Sequence, residues 1–487
     1  MVAQYLEVKK AHKDCLLLYR LGDFYELFYE DAQTAAKILD LVLTKRQDMP
    51  MCGIPYHALD SYIGRLIRAG YKVAIAEQME TPEAAKARGA KSVVKREVIR
   101  IITPGTINDE NLLESAQSNF LFSLNVSLGK IFAAWVDIST GDFFAQEVLG
   151  DIAALVCTIN PKEILLSDEL DSQISSQLKP FANLVSFVAA SHYTHNLGLQ
   201  RIQKIWPHSP SLEVGMVGVI SSLLGYIELT QVGKLPILKP IKVIAQNDLL
   251  FIDASTRKSL ELVSDSKENK KFSLQNALDM TASALGSRLL ANYVSTPLAC
   301  ALKINERLEA VDLFVQNAQG LSQLREVLKS FPDLERALSR ISMRRANPRD
   351  LAAIRDGLAL VPKLKLLMLQ TLAKNNLEEI SYFKNLDIEL ASENEIFEEL
   401  KRALLPDLPL TAREGGVIAA GYNAQLDEFK NLSSGGAKMM ADLQAKYMQK
   451  TGVNLLRIKY NNIIGYFIEV PPKSAQALLE DTFFIHR

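Results

Sequence analysis

Apolar and polar positions change their rhythm along this chain. As far as about Pro104, short apolar runs alternate with helical stripes. CLLLYRL (15–21) is a short apolar run of strand character, broken by Gly22-Asp23. Phe28, Ala32, Ala35, Ala36 and Leu39 then fall at i, i+4, i+7, i+8 and i+11, which is one face of a helix. SYIGRLIRAG predicts a second helix, and YKVAIAEQ and REVIRIIT two further strands. The sum is a small α/β domain, followed by ITPGTINDENLLES, whose turn-forming and polar residues predict a linker.

A second α/β unit follows. NFLFSLNV, KIFAAWVDIS and GDFFAQEVL are consecutive strand patterns with tight turns, predicting an antiparallel meander. DIAALVCTI predicts a helix and EILLSD a strand, and the stretch to about Pro240 is mixed. From about Asp253 the pattern becomes helical, as in KINERLEAVDLFVQ and PRDLAAIRDGLALVPKLKLLMLQTLAK, with Pro348 suited to a first-turn position. GYNAQLDEFKNLSSGGAKMMADLQAKYMQK predicts one long helix despite Gly435-Gly436. NLLRIKY and IIGYFIEV flank Asn461-Asn462 as a hairpin would. The fold class is therefore multidomain, α/β followed by all-α.

Composition narrows the partners only a little. The 487 residues are 48% hydrophobic and 23% charged, an ordinary globular balance. No apolar run approaches the roughly 20 residues of a membrane-spanning helix, and charges in MVAQYLEVKKAHKD sit where a signal peptide needs an apolar core. The expectation is a cytoplasmic protein without a membrane partner. The four cysteines show no CxxC and no pairing rhythm, and the one local histidine pair is His192 with His195, so no metal site is expected. Net charge is −1, which leaves a nucleic-acid partner open because local clustering decides. One cluster stands out: Lys86, Arg88, Lys91, Lys95, Arg96 and Arg100, opposed by Glu97 alone.

Longer blocks carry more information. YRLGDFYELFYEDA (19–32), LTKR (43–46), GIPYHA (53–58), AIAEQ (74–78), RIITPGT (100–106) and DISTGDF (137–143) occur in order, followed by DASTRKSLEL (253–262), SALGSRLLANYVSTPL (283–298), ERLEAV (306–311), GGVIAAGYNAQLDE (415–428) and GYFIEV (465–470). Together they resemble the MutS mismatch-repair family over essentially the whole chain. The resemblance implies a mixed α/β mismatch-recognition domain over 1–104 and a linker over 105–117. It further implies an RNase-H-like connector over 118–239, a helical core with levers over 240–435, and the start of a DNA clamp over 436–487. Two departures occur. The lever reads ANYVSTPL where the family usually places Trp-Leu, and no G-x-x-x-x-G-K-[ST] phosphate loop is present; SSGGAKMM (433–440) has the wrong spacing. The chain is thus expected to read like the front part of a family member and to hydrolyse no ATP by itself. ATP, Mg²⁺, homodimerisation and a MutL-type partner belong to the full-length family, as does nucleoid association.

The family's Phe-x-Glu motif maps to Phe24 and Glu26. The resemblance makes Phe24 a minor-groove wedge stacking on a mispaired base. Glu26 would accept a hydrogen bond from a base N–H or, protonated, donate one to a purine N7. A reading from the residues alone stands beside it: Asp23 as a helix N-cap with Glu26 at the third position, and Phe24 extending the stripe of Phe28. Backbone contacts would come from Arg100, Lys91, Lys95 and Arg96, and from Arg457, Lys459, Asn461 and Asn462 on the clamp hairpin. Two alternatives remain. One is a nuclease using Asp137, although Asp142, Glu163 and Asp168 form no recognisable metal set with it. The other is a relative that clamps DNA without reading mismatches.

Overall fold

The computed structural model describes residues 1–46, 48–89, 92–169, 172–245, 248–264, 270–374, 381–383, 390–391, 394–461 and 464–479. The first domain runs α1 (Val2–Ala11), β1 (Cys15–Leu21), β2 (Phe24–Phe28), α2 (Tyr29–Leu39), β3 (Thr44–Arg46), β4 (Met49–Pro55), α3 (Leu59–Arg68), β5 (Lys72–Gln78), α4 (Pro82–Ala87) and β6 (Arg96–Ile102). Its six strands lie in the order β3-β4-β2-β1-β5-β6. Only β1 and β5 run parallel; the remaining pairs are antiparallel. One face of this sheet, with Leu16, Leu18, Tyr25 and Leu27, packs on α2 and α3. On the other face Tyr5 of α1 packs with Leu17, Tyr19 and Phe28.

The stretch 24–28 is a strand, which corrects the capped-helix reading of Asp23 and Glu26. Gly22, at φ +60°, opens a two-residue turn that pairs Leu21 with Phe24. Strand pairing on both sides then outweighs the local cap. The helix begins at Tyr29, and its stripe of Ala32, Ala35, Ala36 and Leu39 is buried as its spacing predicts.

The second domain contains β7 (Phe120–Ser127), β8 (Lys130–Asp137), β9 (Asp142–Val148), α5 (Ile152–Ile159), β10 (Glu163–Ser167), α6 (Ser172–Gln177), β11 (Val185–Val188), α7 (His195–Ile205), α8 (Val214–Thr230) and β12 (Lys242–Val243). The meander β7-β8-β9 is antiparallel, and β10, β11 and β12 join in parallel to give the order β11-β10-β7-β8-β9-β12. Helix α8 is apolar almost all round and is accordingly buried, lying on the sheet beside Phe132, Val136 and Leu165. On the opposite face Ile152, Val156 and Ile159 of α5 cover Phe122 and Trp135.

Residues 105–117 form a strap packed at its start and bonded through its main chain further on, not a loose linker. Gly105, Thr106, Ile107 and Asn108 are buried, and Ile107 joins the core of the first domain. A carboxylate ties the two domains at this point. Buried Glu163 accepts hydrogen bonds from Thr103 Oγ1 (2.5 Å) and the Gly105 amide (3.1 Å) on one side, and from Ser186 Oγ (2.6 Å) and the Tyr226 hydroxyl (2.7 Å) on the other. Lys72 Nζ stands 3.8 Å away as counter-charge. Burial first, and then this carboxylate, push the Tyr226 hydroxyl well above its ordinary pKa.

The helical part comprises α9 (Ala254–Ser259), α10 (Leu274–Leu278), α11 (Ala284–Ser295), α12 (Ala301–Gln316), α13 (Ala318–Lys329), α14 (Leu334–Ser342), α15 (Pro348–Lys374) and α16 (Asn394–Ala403). Pro348 occupies the first position of α15, while the Asn347 side chain accepts from the Arg349 (2.8 Å) and Asp350 (3.2 Å) amides. Leu324 and Val327 of α13 pack on Leu364 and Met368 of α15. No helix among the described residues is long and apolar enough to cross a membrane.

A second compact unit takes residues 401–407 and 415–487. Its α17 (Ala424–Thr451) passes unbroken through Gly435-Gly436, so the backbone has no break at the expected 435/436 boundary. The hairpin β13 (Arg457–Asn461) and β14 (Gly465–Glu469) follows, then α18 (Pro472–Leu479). Val453, Leu456 and Leu478 form their core.

Two expectations follow. Glu163→Ala leaves several buried donors without an acceptor, each costing about 1–3 kcal/mol of unfolding free energy; a loss below about 1 kcal/mol in denaturant titration would contradict the tie. Burial raises the thiols of Cys15, to about 12, and Cys52, to about 11. Both should therefore stay protonated and resist alkylation in native protein at about pH 8 yet react once unfolded; rapid native labelling of either would refute the packing.

Candidate nucleic-acid interface

Strand β2 is bonded on both edges, to β1 and β4. Because side chains alternate, Tyr25 and Leu27 enter the core while Phe24 and Glu26 share the opposite face. Tyr5 of α1 covers that face at Phe28 and Tyr19. Phe24, at the far end of the strand, remains 47% exposed. Fully burying a Phe is worth roughly 1.5–3 kcal/mol, so leaving half of it out forgoes roughly 1 kcal/mol.

Gly53 of β4 lies beside the pair: a Cβ there would meet the Phe24 ring at 3.7 Å and Glu26 Cγ at 4.0 Å. Glu26 Oε2 is held by Arg46 Nη1 at 2.8 Å, with the Arg46 side chain 44% exposed. The turn before Phe24 is also secured. Arg20 Nε donates to the Gly22 carbonyl, and its guanidinium lies 4.3 Å over the Tyr56 ring and 5.3 Å over Tyr25. Arg20 Nη1 is 3.7 Å from Glu77 Oε1, which also accepts from the Tyr25 hydroxyl. Burial first and then this carboxylate raise the Tyr25 hydroxyl above its ordinary pKa. The Tyr56 amide donates to the Asp23 carbonyl at 2.9 Å. Sequence reasoning assigned no role to Arg20, Arg46 or Tyr56, although each lies in a block that carries the resemblance.

The basic candidates divide by placement. Arg96, only 7% exposed, donates to the Arg20 carbonyl (2.6 Å) and the Val94 carbonyl (2.8 Å) and lies over Tyr19. Arg100 is paired with Asp109 at 2.6 Å, its side chain 13% exposed. Both charges face the interior, contrary to the expectation of phosphate ligands on the surface. Lys95 is exposed beside Glu97 (2.6 Å), and Arg88 pairs with Glu80. Lys91 lies outside the described residues. On the hairpin, Arg457 is exposed, Lys459 pairs with Glu469 at 2.6 Å, and Asn461 Oδ1 accepts from the Ile464 amide at 2.9 Å. Asn462 lies outside the described residues. Tyr460 and Tyr466 face each other across the hairpin, ring centres 5.0 Å apart and both exposed.

The acids of the nuclease alternative are engaged separately. Asp137 is fully buried and accepts from the Asn119 amide (2.8 Å), the Ser139 amide (2.9 Å) and Ser139 Oγ (2.6 Å). Asp142 pairs with Lys239 at 3.0 Å, Glu163 forms the domain tie, and Asp168 accepts from the Ala190 amide at 2.9 Å. Among the described residues no three His, Cys, Asp or Glu are grouped to hold a metal.

Comparison with known proteins follows the same domain plan. Family matches fall on three stretches: MutS domain I on residues 1–111, MutS domain II on 119–239 and MutS domain III on 255–479. The chain is 39% identical over 512 residues to the DNA mismatch repair protein MutS of Bradyrhizobium, and 38% identical over 506 residues to that of Dinoroseobacter shibae. It is also 38% identical over 502 residues to that of Orientia tsutsugamushi. Each alignment covers 100% of this chain but only 55–56% of the relative, so the chain spans little more than half the length of the proteins it matches. With three consecutive family domains and full-length similarity of this order, the chain belongs to the MutS family of DNA mismatch repair proteins.

Proposed function

We propose that this chain reads mispaired or small-loop duplex DNA by pressing Phe24 into the minor groove and kinking the helix there. The observation that carries the reading is the half-exposed Phe24 ring on a strand held from both sides, with a carboxylate two residues on. An apolar wedge unstacks one base step and kinks the duplex. Bending ordinary DNA by 40–90° costs on the order of 1–6 kcal/mol, whereas one base stacked on an aromatic ring returns about 1–3 kcal/mol. Sound duplex therefore resists insertion, while a poorly stacked mispair yields. The ring reads deformability more than sequence, which suits a sensor of many different errors.

Glu26 supplies the polar half of the contact. Its carboxylate repels phosphates, and Arg46 compensates that charge in the free protein. On binding, Arg46 turns to a phosphate and frees Glu26 for a base edge at the opened step. Lys95, with Arg457 and Lys459 on the hairpin, adds backbone contacts that give affinity without sequence information. No catalytic step is assigned to these residues. ATP-dependent signalling, which the family resemblance ties to a phosphate loop outside these three domains, acts on the reading unit from there.

Three substitutions test this in DNA-binding titrations. Phe24→Ala should abolish the preference for a G·T over a G·C duplex and leave weak, salt-sensitive binding; unchanged preference would remove the wedge. Glu26→Ala should reduce mismatch preference with equal or tighter binding to perfect duplex, and markedly weaker binding to both would count against its role. Arg46→Ala should weaken binding to both duplexes and lower the salt slope by about one phosphate contact; an unaltered slope would exclude the phosphate contact.

A further inference from the structure

The geometry points to Arg336 and Arg288 as positioning residues that clamp the 105–117 strap to the helical core and make it the rigid mount against which Phe24 works. This rests on the wedge reading above and adds what the wedge pushes against. A ring can bend DNA only if its own domain does not swing instead. A flexible tether would rotate at little cost, while the kink costs on the order of 1–6 kcal/mol. The mount must therefore be the stiffer of the two.

The strap is held by its main chain. Arg336 Nη1 donates to the Glu114 carbonyl (3.0 Å) and Nη2 to the Gln117 carbonyl (2.7 Å). Arg288 Nη1 donates to the Ser115 carbonyl between them (3.1 Å). Both arginines are buried, at 4% and 5% exposure. A planar fork that bridges two carbonyls fixes the direction of the strap as well as its position, which one ammonium cannot do. Asp333 organises the forks. It receives both Nη atoms of Arg288 (2.7 and 2.9 Å), lies 3.9 Å from Arg336 Nε and caps α14. Burial alone would raise this carboxyl, but its bonds to Arg288 outweigh that and hold it below the usual carboxylate range.

The clamp reaches all three parts of the first unit. Glu335, beside Asp333, takes Arg288 (3.0 Å) and Lys239 (2.5 Å), and Lys239 also pairs with Asp142 of β9 at 3.0 Å. Ser339 Oγ of α14 donates to the Ile138 carbonyl at 2.6 Å. At its first-domain end the strap is fixed by Arg100 on Asp109, by Glu163 on the Gly105 amide, and by Gln231 on the Thr106 carbonyl (3.4 Å). Helix α14 is thus the common abutment of the mismatch domain's exit and the connector sheet.

The test uses the whole chain with a G·T duplex carrying a fluorophore at each end, and reads bend by energy transfer at saturating protein. Arg336→Lys keeps the charge but loses the planar fork whose two separate nitrogens reach the Glu114 and Gln117 carbonyls, and Asp333→Asn loosens both forks. Each should reduce the bend at saturation and cut mismatch preference by about fivefold, within the range such couplings show, with G·C affinity unchanged. A merely destabilising effect would lower the bound fraction on both duplexes and leave the saturated bend intact, which would overturn the proposal. Phe24→Ala run alongside separates the two ideas. If it bends DNA normally, the wedge reading fails; if it abolishes the bend while both clamp variants bend and discriminate as the parent does, the mount alone is refuted.

Discussion

Strand β2 is hydrogen-bonded along both edges, and the site depends on that constraint. A strand so held cannot slip by one residue without turning Tyr25 and Leu27 out of the core. Phe24 and Glu26 are consequently forced outward together, two residues apart on one face. The cost of an exposed ring, roughly 1 kcal/mol, is small beside the burial that fixes the strand. An exposed aromatic on such a support has few ways to retreat, which is what the proposed wedge role of Phe24 requires.

The cations show a second ordering principle. Net charge near zero conceals two populations of arginine. Arg46 keeps its guanidinium at the surface within reach of a partner. Arg96, Arg288 and Arg336 lie inside, where they donate to main-chain carbonyls near the end of a strand or in segments without regular structure of their own. Buried carbonyls need donors, and arginine can reach several from one anchored stem. In the proposed reading the same residue type serves recognition in one place and rigidity in another, and only its surroundings separate the roles.

Chain order links the proposed recognition site to its rigid support. The strand β6 that ends the first domain leads straight into the strap, and the strap ends at the second domain's first strand. Glu163 closes this junction from the connector side. Motion of the first domain would have to break bonds to a buried carboxylate and to the arginines of α11 and α14 together, so the domain is set on a firm base.

Much of this was readable from residues in order, because local periodicity and turn chemistry act over a few neighbours. The α2 stripe, the connector meander, the start of α15 at Pro348, the long α17 and the terminal hairpin follow from spacing alone, and the blocks of residues carrying Phe24 and Glu26 pointed to the family. Three features were decided only by tertiary structure. Residues 24–28 became a strand because two neighbouring strands supplied bonds that outweighed a local helix cap. Arg96 and Arg100 turned inward because Arg20, Val94 and Asp109 offered them acceptors. The strap looked like a linker because its partners are donors more than 170 positions away acting on its carbonyls. A carbonyl is the same in every residue, so no side-chain pattern could announce that these were the ones to be held.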